Sequence, residues 1–240
     1  MVHYNMTIWL ASGNKHKQQE LAAILSGHTV KLPAEAGIKY FDPAETGASF
    51  AENALIKARA LYLLLESAAG PKGQNSLTAN LVLADDSGLC VDTLGGRPGI
   101  YSARYYGKNS WNSDGSFRDE LNASAKLTDK ERNLLLLEEL NYTIPLNNLT
   151  KAQRHETCRF VCAMVLLFNS DHFYLVQETM EGEIVLSTAE IRGHGGFGYD
   201  PIVYLPEFGC TVAELSEEEK NHNSHRGKAG KIIAQLLAGN

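Results

Sequence analysis

Apolar residues along this chain follow two spacings, one typical of buried strands and one typical of amphipathic helices. Short apolar and β-branched runs predict strands at residues 6–11 and 81–84. The first strand is followed by a segment that carries Leu21, Ile24 and Leu25 at helical spacing. The pattern indicates an α/β chain, in which ligands are expected to collect at the carboxyl ends of strands.

The second half of the chain predicts an antiparallel extension of the sheet. Residues 158–168 and 173–178 have the composition of two hairpin strands, and residues 181–189 are expected to add a third. Before them, residues 106–157 contain a polar loop followed by apolar residues at helical spacing. We expect this segment to form a helical insertion or lobe within a single domain that spans residues 1–240.

Composition and charge narrow the possible functions. A chain of 240 residues with 44% hydrophobic residues can bury a sizeable core. Its net charge of −6 argues against a protein that coats nucleic acid, although a single nucleotide needs only a local basic cleft. No leader or membrane-spanning run is present, so we expect a soluble cytoplasmic protein with no membrane partner. Cys158 and Cys162 are expected to be small core residues.

The strongest candidate for a chemical centre follows the strand at residues 81–84. This strand ends in Asp85 and Asp86, which point in different directions if the extended geometry persists. Ser87 and Gly88 are expected to turn the chain, and the glycines of residues 95–99 predict a second tight turn. A solvated turn is the ordinary interpretation of Asp-Asp-Ser-Gly. Its apolar and glycine-rich neighbours weaken that interpretation, but the residues alone leave a turn and a site both open.

A candidate anion site follows the first strand, where a small-residue turn leads into a helix. Free backbone amides at a helix start can bind phosphate, and nearby lysines add positive charge. The Walker A pattern is absent, so the residues alone leave a phosphate site and a plain turn equally open. The candidate residues are Ser12, Gly13, Asn14, Lys15, His16 and Lys17.

A second helix is predicted to begin near residue 49. Ser49 and Glu52 have the spacing of a capping box, which gives Glu52 a structural role. Asn53 and Lys57 lie one turn apart on one helix face, where Lys57 can either bind phosphate or remain solvated. Glu45, in the preceding loop, has no evident local structural role.

A glycine-rich segment at residues 193–198 matches the dinucleotide pattern G-x-G-x-x-G, but a proline and β-branched residues follow it. These residues predict a strand and exclude a Rossmann fingerprint, which requires a helix there. The segment can instead deliver Phe197 to stack on a base and Asp200 to bind its edge. The alternative is a core phenylalanine beside a glycine turn.

The charged segment at residues 216–226 can be either a solvated surface or part of a binding site. Ser216 and Glu219 predict a capping box, and Lys220 follows directly. His225 and Arg226 are expected on a loop before a final helix at residues 227–237. A solvated charge run is the default interpretation of such a composition.

Together these segments resemble the inosine triphosphate pyrophosphatase family. Ser12 to Lys17 is similar to the family motif [ST]-G-N-x-x-K, residues 195–201 read GGFGYDP, and residues 220–227 match K-x-x-x-[SN]-H-R-G. Residues 83–105 also resemble the family, and the similarity covers residues 7–105 and 158–235. The resemblance implies a central mixed twisted sheet with flanking helices, two lobes around a nucleotide cleft, and a homodimer.

The resemblance also implies hydrolysis of noncanonical purine nucleoside triphosphates (ITP, dITP and XTP) to the monophosphate and pyrophosphate, with Mg²⁺. Asp86 would orient and deprotonate the attacking water. Glu45, Asp85 and Asp86 are the implied metal ligands, although Ala44 interrupts an acidic pair seen in some members. Beyond the residues of the first turn, the implied substrate-binding residues are Lys57, Ser87, Phe197, Gly198, Tyr199, Asp200, Lys220, His225 and Arg226.

Base selection is expected to depend on the 6-position of the purine. Donors from His225, Arg226 or backbone amides would favour a 6-oxygen over the 6-amino group of adenine. Two alternatives remain: a pyrophosphatase for modified pyrimidine or methylated nucleotides, and a nucleotide-binding module without catalysis. The GGFGYDP and SHRG segments argue against the first, and the carboxylates of Glu45, Asp85 and Asp86 argue against the second.

Overall fold

The structure is a computed structural model that describes residues 5–68, 81–118, 127–143, 156–193, 196 and 198–239. Its strands are β1 (Thr7–Leu10), β2 (Thr29–Lys31), β3 (Leu81–Val91), β4 (Thr157–Leu167), β5 (Phe173–Ile184), β6 (Val203–Leu205) and β7 (Cys210–Thr211). Its α-helices are α1 (Lys15–Ile24), α2 (Phe50–Ala68), α3 (Asp129–Thr143), α4 (Glu217–Asn223) and α5 (His225–Gly239). No helix in this described part of the chain is long and apolar enough to cross a membrane.

The strands form one mixed seven-stranded sheet in the order β2-β1-β3-β4-β5-β6-β7. Strand β1 pairs in parallel with β2 and β3, and Ile8 lies opposite both Val30 and Leu81. Strand β6 pairs antiparallel with both β5 and β7. The predicted α/β class and mixed sheet with flanking helices are therefore confirmed.

The chain divides into two compact units, and strands β3, β4 and β5 each run through both. The first unit comprises residues 1–87, 161–179 and 221–240, and the second comprises residues 88–160 and 180–220. The core of the first unit contains Ile8, Leu21, Leu83, Met164 and Ile233, so helices α1 and α5 pack on the parallel part of the sheet. This packing holds α1 and α5 against the strands beside Asp85.

The core of the second unit is built around α3. Leu136 and Leu140 of this helix are fully buried and cluster with Leu89, Met180 and Tyr199. Helix α3 confirms the helix predicted from the apolar spacing near residues 134–140. That residues 106–157 form a lobe within a single domain stays a prediction.

Two expected features of the chain path were wrong. Ser87 and Gly88 do not turn the chain, because β3 continues to Val91 with its residues buried on both faces. Residues 181–189 do not form a separate third strand, since β5 continues to Ile184 and a 3₁₀ turn follows at Thr188–Glu190. The additional antiparallel strand is β6 instead. At Ser87 and Gly88, apolar neighbours extended the strand through residues with turn-like composition.

Candidate functional site

The turn after β1 places the first set of candidate residues. Asn14 caps α1, because its Oδ1 accepts hydrogen bonds from His16 N at 2.9 Å and Lys17 N at 3.3 Å. Ser12 Oγ accepts a hydrogen bond from Asn14 N at 3.1 Å, which holds the turn. Gly13, Asn14, Lys15 and His16 are exposed, whereas Ser12 and Lys17 are half-buried. The turn therefore presents an open, positively charged rim beside the end of the strand.

Lys17 reaches from this turn to the first of the two adjacent carboxylates. Asp85 is buried, and its Oδ1 accepts from Lys17 Nζ at 3.0 Å while its Oδ2 accepts from Arg226 Nε at 3.3 Å. Burial opposes ionisation of Asp85, but Lys17 and Arg226 hold its pKa well below the ordinary value. Asp85 is therefore a permanent anion that anchors two cations.

Arg226 completes this network from the start of α5. Its side chain is buried, with Nη1 at 2.6 Å from Glu20 Oε2 and Nη2 at 3.1 Å from Ser87 Oγ. Burial would lower the pKa of Arg226, but Asp85 and Glu20 raise it. Glu20 was missed in the sequence, although it lies three residues after Lys17 on α1, a spacing that places the two on one helix face.

The second carboxylate meets a different set of partners. Asp86 Oδ1 accepts from Lys57 Nζ at 2.7 Å, and Asn53 Nδ2 lies 3.4 Å from Asp86 Oδ2. The same Lys57 Nζ donates to Glu45 Oε1 at 3.0 Å. Asn53 Oδ1 also accepts from Gly47 N at 2.8 Å, which ties the loop of Glu45 to α2. The helix face predicted for Asn53 and Lys57 therefore faces Asp86 in the middle of β3.

The two carboxylates differ in proton affinity. Burial raises the pKa of Asp86 above its ordinary value, and the nearby Glu45 adds to this effect, although Lys57 opposes it. Burial lowers the pKa of Lys57, but Asp86, Asp85 and Glu45 together raise it. Adjacent groups whose environments push their pKa values apart are typical of acid–base sites. Asp86 is therefore the better candidate for accepting a proton.

The same carboxylates decide where a divalent cation would fit. Glu45 and Asp86 converge on the single ammonium group of Lys57, so two hard oxygen donors meet around one positive charge. Mg²⁺ commonly binds one or two carboxylates and completes its shell with water and substrate phosphates. Among the described residues, no group of three or more His, Cys, Asp or Glu side chains could hold a metal. Glu45 and Asp86 fit Mg²⁺, whereas both oxygens of Asp85 bind cationic side chains.

The second unit contains the glycine-rich segment. Asp200 is buried, and its Oδ2 accepts from Lys220 Nζ at 2.7 Å. Gly196 has φ of +75°, and a Cβ atom there would lie 2.0 Å from Asp200 Oδ2. Tyr199 is buried and donates from its hydroxyl to Ser102 O at 2.8 Å. Phe197, the expected stacking residue, lies outside the described residues.

The charged segment near the carboxyl end begins two helices. Ser216 Oγ accepts from Glu219 N at 3.2 Å and Glu219 Oε2 accepts from Ser216 N at 2.9 Å, which confirms the predicted capping box. The expected loop position of His225 and Arg226 was wrong, since both are buried at the start of α5. Ser224 Oγ accepts from Gly227 N at 3.0 Å, so the helix begins before that glycine.

The structure therefore groups the candidate residues within each unit. In the first unit, Lys17 and Arg226 contact Asp85, with Ser87 bonded to Arg226; Asn53 and Lys57 contact Asp86, with Glu45 bonded to Lys57. In the second unit, Lys220 meets Asp200 beside Gly196. Glu20, Asn53 and Ser102 join these groups without having been assigned to the site from the sequence.

The sequence matches the model of the Ham1 family over residues 8–236. It is 43% identical over 235 residues to the dITP/XTP pyrophosphatase of Treponema denticola, covering 98% of this chain and 100% of that protein. It is 38% identical over 237 residues to the dITP/XTP pyrophosphatase of Treponema pallidum, covering 99% of this chain and 72% of that protein. The solved structure of a HAM1 protein from Coxiella burnetii is similar with a TM-score of 0.71 and 33% identity, covering 98% of this chain and 100% of that chain.

Proposed function

Because the chain belongs to the Ham1 family, we propose that it hydrolyses noncanonical purine nucleoside triphosphates (ITP, dITP and XTP) to the monophosphate and pyrophosphate. The relatives described above carry the name dITP/XTP pyrophosphatase, which supports this reaction and the substrates dITP and XTP. The observation that carries the proposal is the pair Asp85 and Asp86, whose surroundings make one carboxylate a fixed counterion and raise the proton affinity of the other.

The phosphate-binding part of the proposal rests on the first unit. Hydrolysis of a phosphoanhydride requires neutralisation of charge and alignment of the phosphates more than covalent chemistry. Lys17 and Lys57 supply two positive charges, each held by a buried carboxylate, and the turn at residues 12–17 adds exposed polar groups. Asp85 keeps Lys17 in place, Arg226 keeps Asp85 in place, and Ser87 accepts a hydrogen bond from Arg226. These residues would bind and orient the triphosphate.

Asp86 would act as the general base. It would orient the attacking water and accept a proton at a carboxylate oxygen, a role suited to a carboxylate of raised pKa. Glu45 and Asp86 would hold Mg²⁺, which supplies charge neutralisation for the triphosphate and increases the acidity of the attacking water. Lys57 would help to position both carboxylates through its two ion pairs.

Base recognition would use the second unit and the start of α5. Asp200 and Lys220 offer an acceptor and a donor to a purine edge, and Gly198, Tyr199 and Phe197 would shape the surface against the base. His225 or backbone amides would donate to the 6-oxygen. Arg226 already donates to Asp85, Glu20 and Ser87, so we assign it mainly to holding Asp85.

The proposal includes an assembly and a location. The resemblance to the inosine triphosphate pyrophosphatase family supports a homodimer and action in the cytoplasm on the nucleotide pool. All four cysteines are free, a state typical of reducing compartments. The net charge of −6 favours a nucleotide over nucleic acid as the partner.

The test is a product assay with separate nucleotides. The protein is incubated with Mg²⁺ and ITP, XTP, GTP, ATP or 5-methyl-UTP, and pyrophosphate and orthophosphate are measured in parallel. We expect pyrophosphate mainly from ITP and XTP. Preference for the methylated pyrimidine would favour the related pyrophosphatase, and nucleotide binding without any product would favour the noncatalytic module. Release of orthophosphate would overturn the reaction proposed.

A further inference from the structure

Helix α3 holds the glycine-rich segment of the second unit at a single residue. Asp129 Oδ2 accepts a hydrogen bond from Gly198 N at 2.9 Å, and Asn133 Nδ2 donates to Gly198 O at 3.2 Å. Asp129 and Asn133 lie one helical turn apart, so their side chains project from one face of α3. The peptide groups on both sides of Gly198 are therefore fixed by one helix.

The start of α3, where Asp129 lies, is stabilised by local hydrogen bonds. Thr128 and Glu131 form a capping box, with Thr128 N donating to Glu131 Oε2 at 2.7 Å and Glu131 N donating to Thr128 Oγ1 at 3.3 Å. Asp129 also pairs with Arg132 at 2.5 Å, and Arg132 Nη1 donates to Ala103 O at 3.2 Å. Arg132 therefore fixes the orientation of the Asp129 carboxylate that accepts from Gly198 N.

Asn133 has a feature that a purely structural residue would not be expected to keep. The residue is only 4% exposed, and its Oδ1 is buried with no hydrogen-bond partner in the described part of the chain. Leaving a buried amide oxygen unpaired costs free energy, and a leucine of similar size would avoid that cost in this core. Local costs of this kind are found preferentially at functional positions.

Gly198 lies between two features that the proposed function assigns to base recognition, the ion pair of Asp200 and Lys220 and the side chain of Tyr199. Gly196, on one side, passes over the ion pair of Asp200 and Lys220, where a Cβ atom would lie 3.0 Å from Lys220 Nζ. Tyr199, on the other side, is buried and anchored to Ser102 O. Gly198 has φ of +64° with open space around a Cβ position, so its backbone conformation depends on what holds its peptide groups.

We propose that Asp129 and Asn133 are positioning residues that set the base-binding segment of this enzyme through the two peptide groups of Gly198. This inference rests on the proposed function, because it assigns that segment to the purine. Helix α3 would then contribute to base selection, in addition to packing Leu136 and Leu140 into the core of the second unit. The triphosphate-binding residues of the first unit would not depend on it.

The experiment compares a ligand that has a base with one that lacks it. Calorimetry without added metal measures the Kd of ITP and of inorganic tripolyphosphate for the full chain and its variants. We expect Asp129→Ala and Asn133→Ala to raise the Kd of ITP about ten-fold, as the loss of one strong hydrogen bond implies. The Kd of tripolyphosphate is expected to change less than about two-fold, as for a distant independent site.

Two further variants separate positioning from folding. Asp129→Asn keeps an oxygen that can accept from Gly198 N, so we expect ITP binding close to that of the unchanged protein. Glu131→Ala weakens the cap of α3 without touching Gly198, so we expect neither Kd to change, and urea unfolding checks that all variants fold. Equal loss of both ligands, or an equal effect of Glu131→Ala, would overturn the inference.

The assay also separates this inference from the reaction proposed above. If the unchanged protein binds ITP no more tightly than tripolyphosphate, the segment does not bind a base and the inference is overturned. If ITP binds more tightly but no pyrophosphate is released with Mg²⁺, the reaction fails while the variants still decide the role of α3.

Discussion

Two neighbouring carboxylates, Asp85 and Asp86, lie in the middle of strand β3 and meet different partners. Successive side chains of a strand point to opposite faces, so Asp85 meets Lys17 and Arg226 while Asp86 meets Lys57. This alternation lets one strand supply both a buried counterion and a candidate base. The division of roles between two adjacent residues leads to two predictions.

Replacing Asp86 with asparagine is expected to abolish turnover while nucleotide binding is largely kept. The amide cannot accept a proton from water, and loss of a general base costs about 10²- to 10⁴-fold in rate. Asn53→Ala, which removes a long contact to the same carboxylate, serves as the comparison and should have a smaller effect. Steady-state kinetics with ITP and calorimetry with the same nucleotide measure the two effects. Equal loss of binding and turnover would contradict this role of Asp86.

Replacing Arg226 with methionine is expected to destabilise the fold by about 3 kcal/mol. Removing one partner from a buried ion-pair network leaves the remaining charges poorly compensated, and here the buried Asp85 loses Arg226 and keeps Lys17 as its ion-pair partner. Lys228→Met, two residues along the same helix, removes only an exposed hydrogen bond to Thr179 O and should stay within about 0.5 kcal/mol. Urea unfolding followed by circular dichroism measures both. A loss below about 1 kcal/mol for the Arg226 variant would show that the pair is not required for folding.

At the scale of elements, the glycine-rich segment depends on two glycines for different reasons. A Cβ atom at Gly196 would lie 2.0 Å from Asp200 Oδ2, whereas a Cβ atom at Gly198 would have no atom within 4 Å. Both residues have positive φ, so alanine at either position introduces backbone strain of about 1–2 kcal/mol. Only the first substitution also displaces the ion pair of Asp200 and Lys220.

We therefore expect Gly196→Ala to reduce kcat/KM for ITP at least about ten-fold more than Gly198→Ala, since breaking a buried charge pair adds to the strain. The measurement is a set of initial rates over a range of ITP concentrations for both variants. The matched strain makes Gly198→Ala the control. Similar losses for both variants would mean that strain alone, without the ion pair, explains the effect.

Strand β4 carries two cysteines that the fold protects. Cys158 and Cys162 are buried, and burial raises the pKa of both thiols, that of Cys162 to about 12. Cys210 of β7 is partly exposed. Since only an accessible thiolate reacts, iodoacetamide at pH 7.5 should modify Cys210 but not Cys158 or Cys162 until urea is added, as peptide mass spectrometry would show. Rapid labelling of Cys162 in the native protein would contradict its burial.

At the scale of the whole molecule, three strands run through both compact units, and each unit has its own apolar core. The mixed sheet is therefore the shared element of the fold. The family resemblance also bears on quaternary structure, because it is the basis of the homodimer proposed above.

The proposed homodimer is tested by the mass of the protein in solution. Sedimentation equilibrium at micromolar concentration should give twice the 26.3 kDa of one chain. The double variant Asp129→Ala and Asn133→Ala is a useful control, because the proposed base-positioning role predicts that it leaves the mass unchanged. A mass of one chain across the accessible concentrations would rule out a stable homodimer.

The sequence by itself determined those features that depend on neighbouring residues. The capping box at Ser216, the helix start after Asn14 and the shared face of Asn53 and Lys57 all follow from local spacing, and the structure has them. At Ser49 the structure has half of the predicted box, because Ser49 Oγ accepts from Glu52 N but Glu52 Oε2 accepts from Ala48 N. The α/β class also follows from local periodicity, because strands and helices differ in the spacing of their buried positions. The long motifs were specific enough to indicate the family.

The tertiary structure decided what joins distant residues. Arg226 meets Asp85 across 141 positions and Glu20 across 206, and α3 meets Gly198 across 65 to 69. No spacing rule predicts such pairs, because they depend on which helices pack together rather than on any local preference. The same packing carried β3 straight through Ser87 and Gly88, since burial of the flanking apolar residues outweighed the turn propensity of those two.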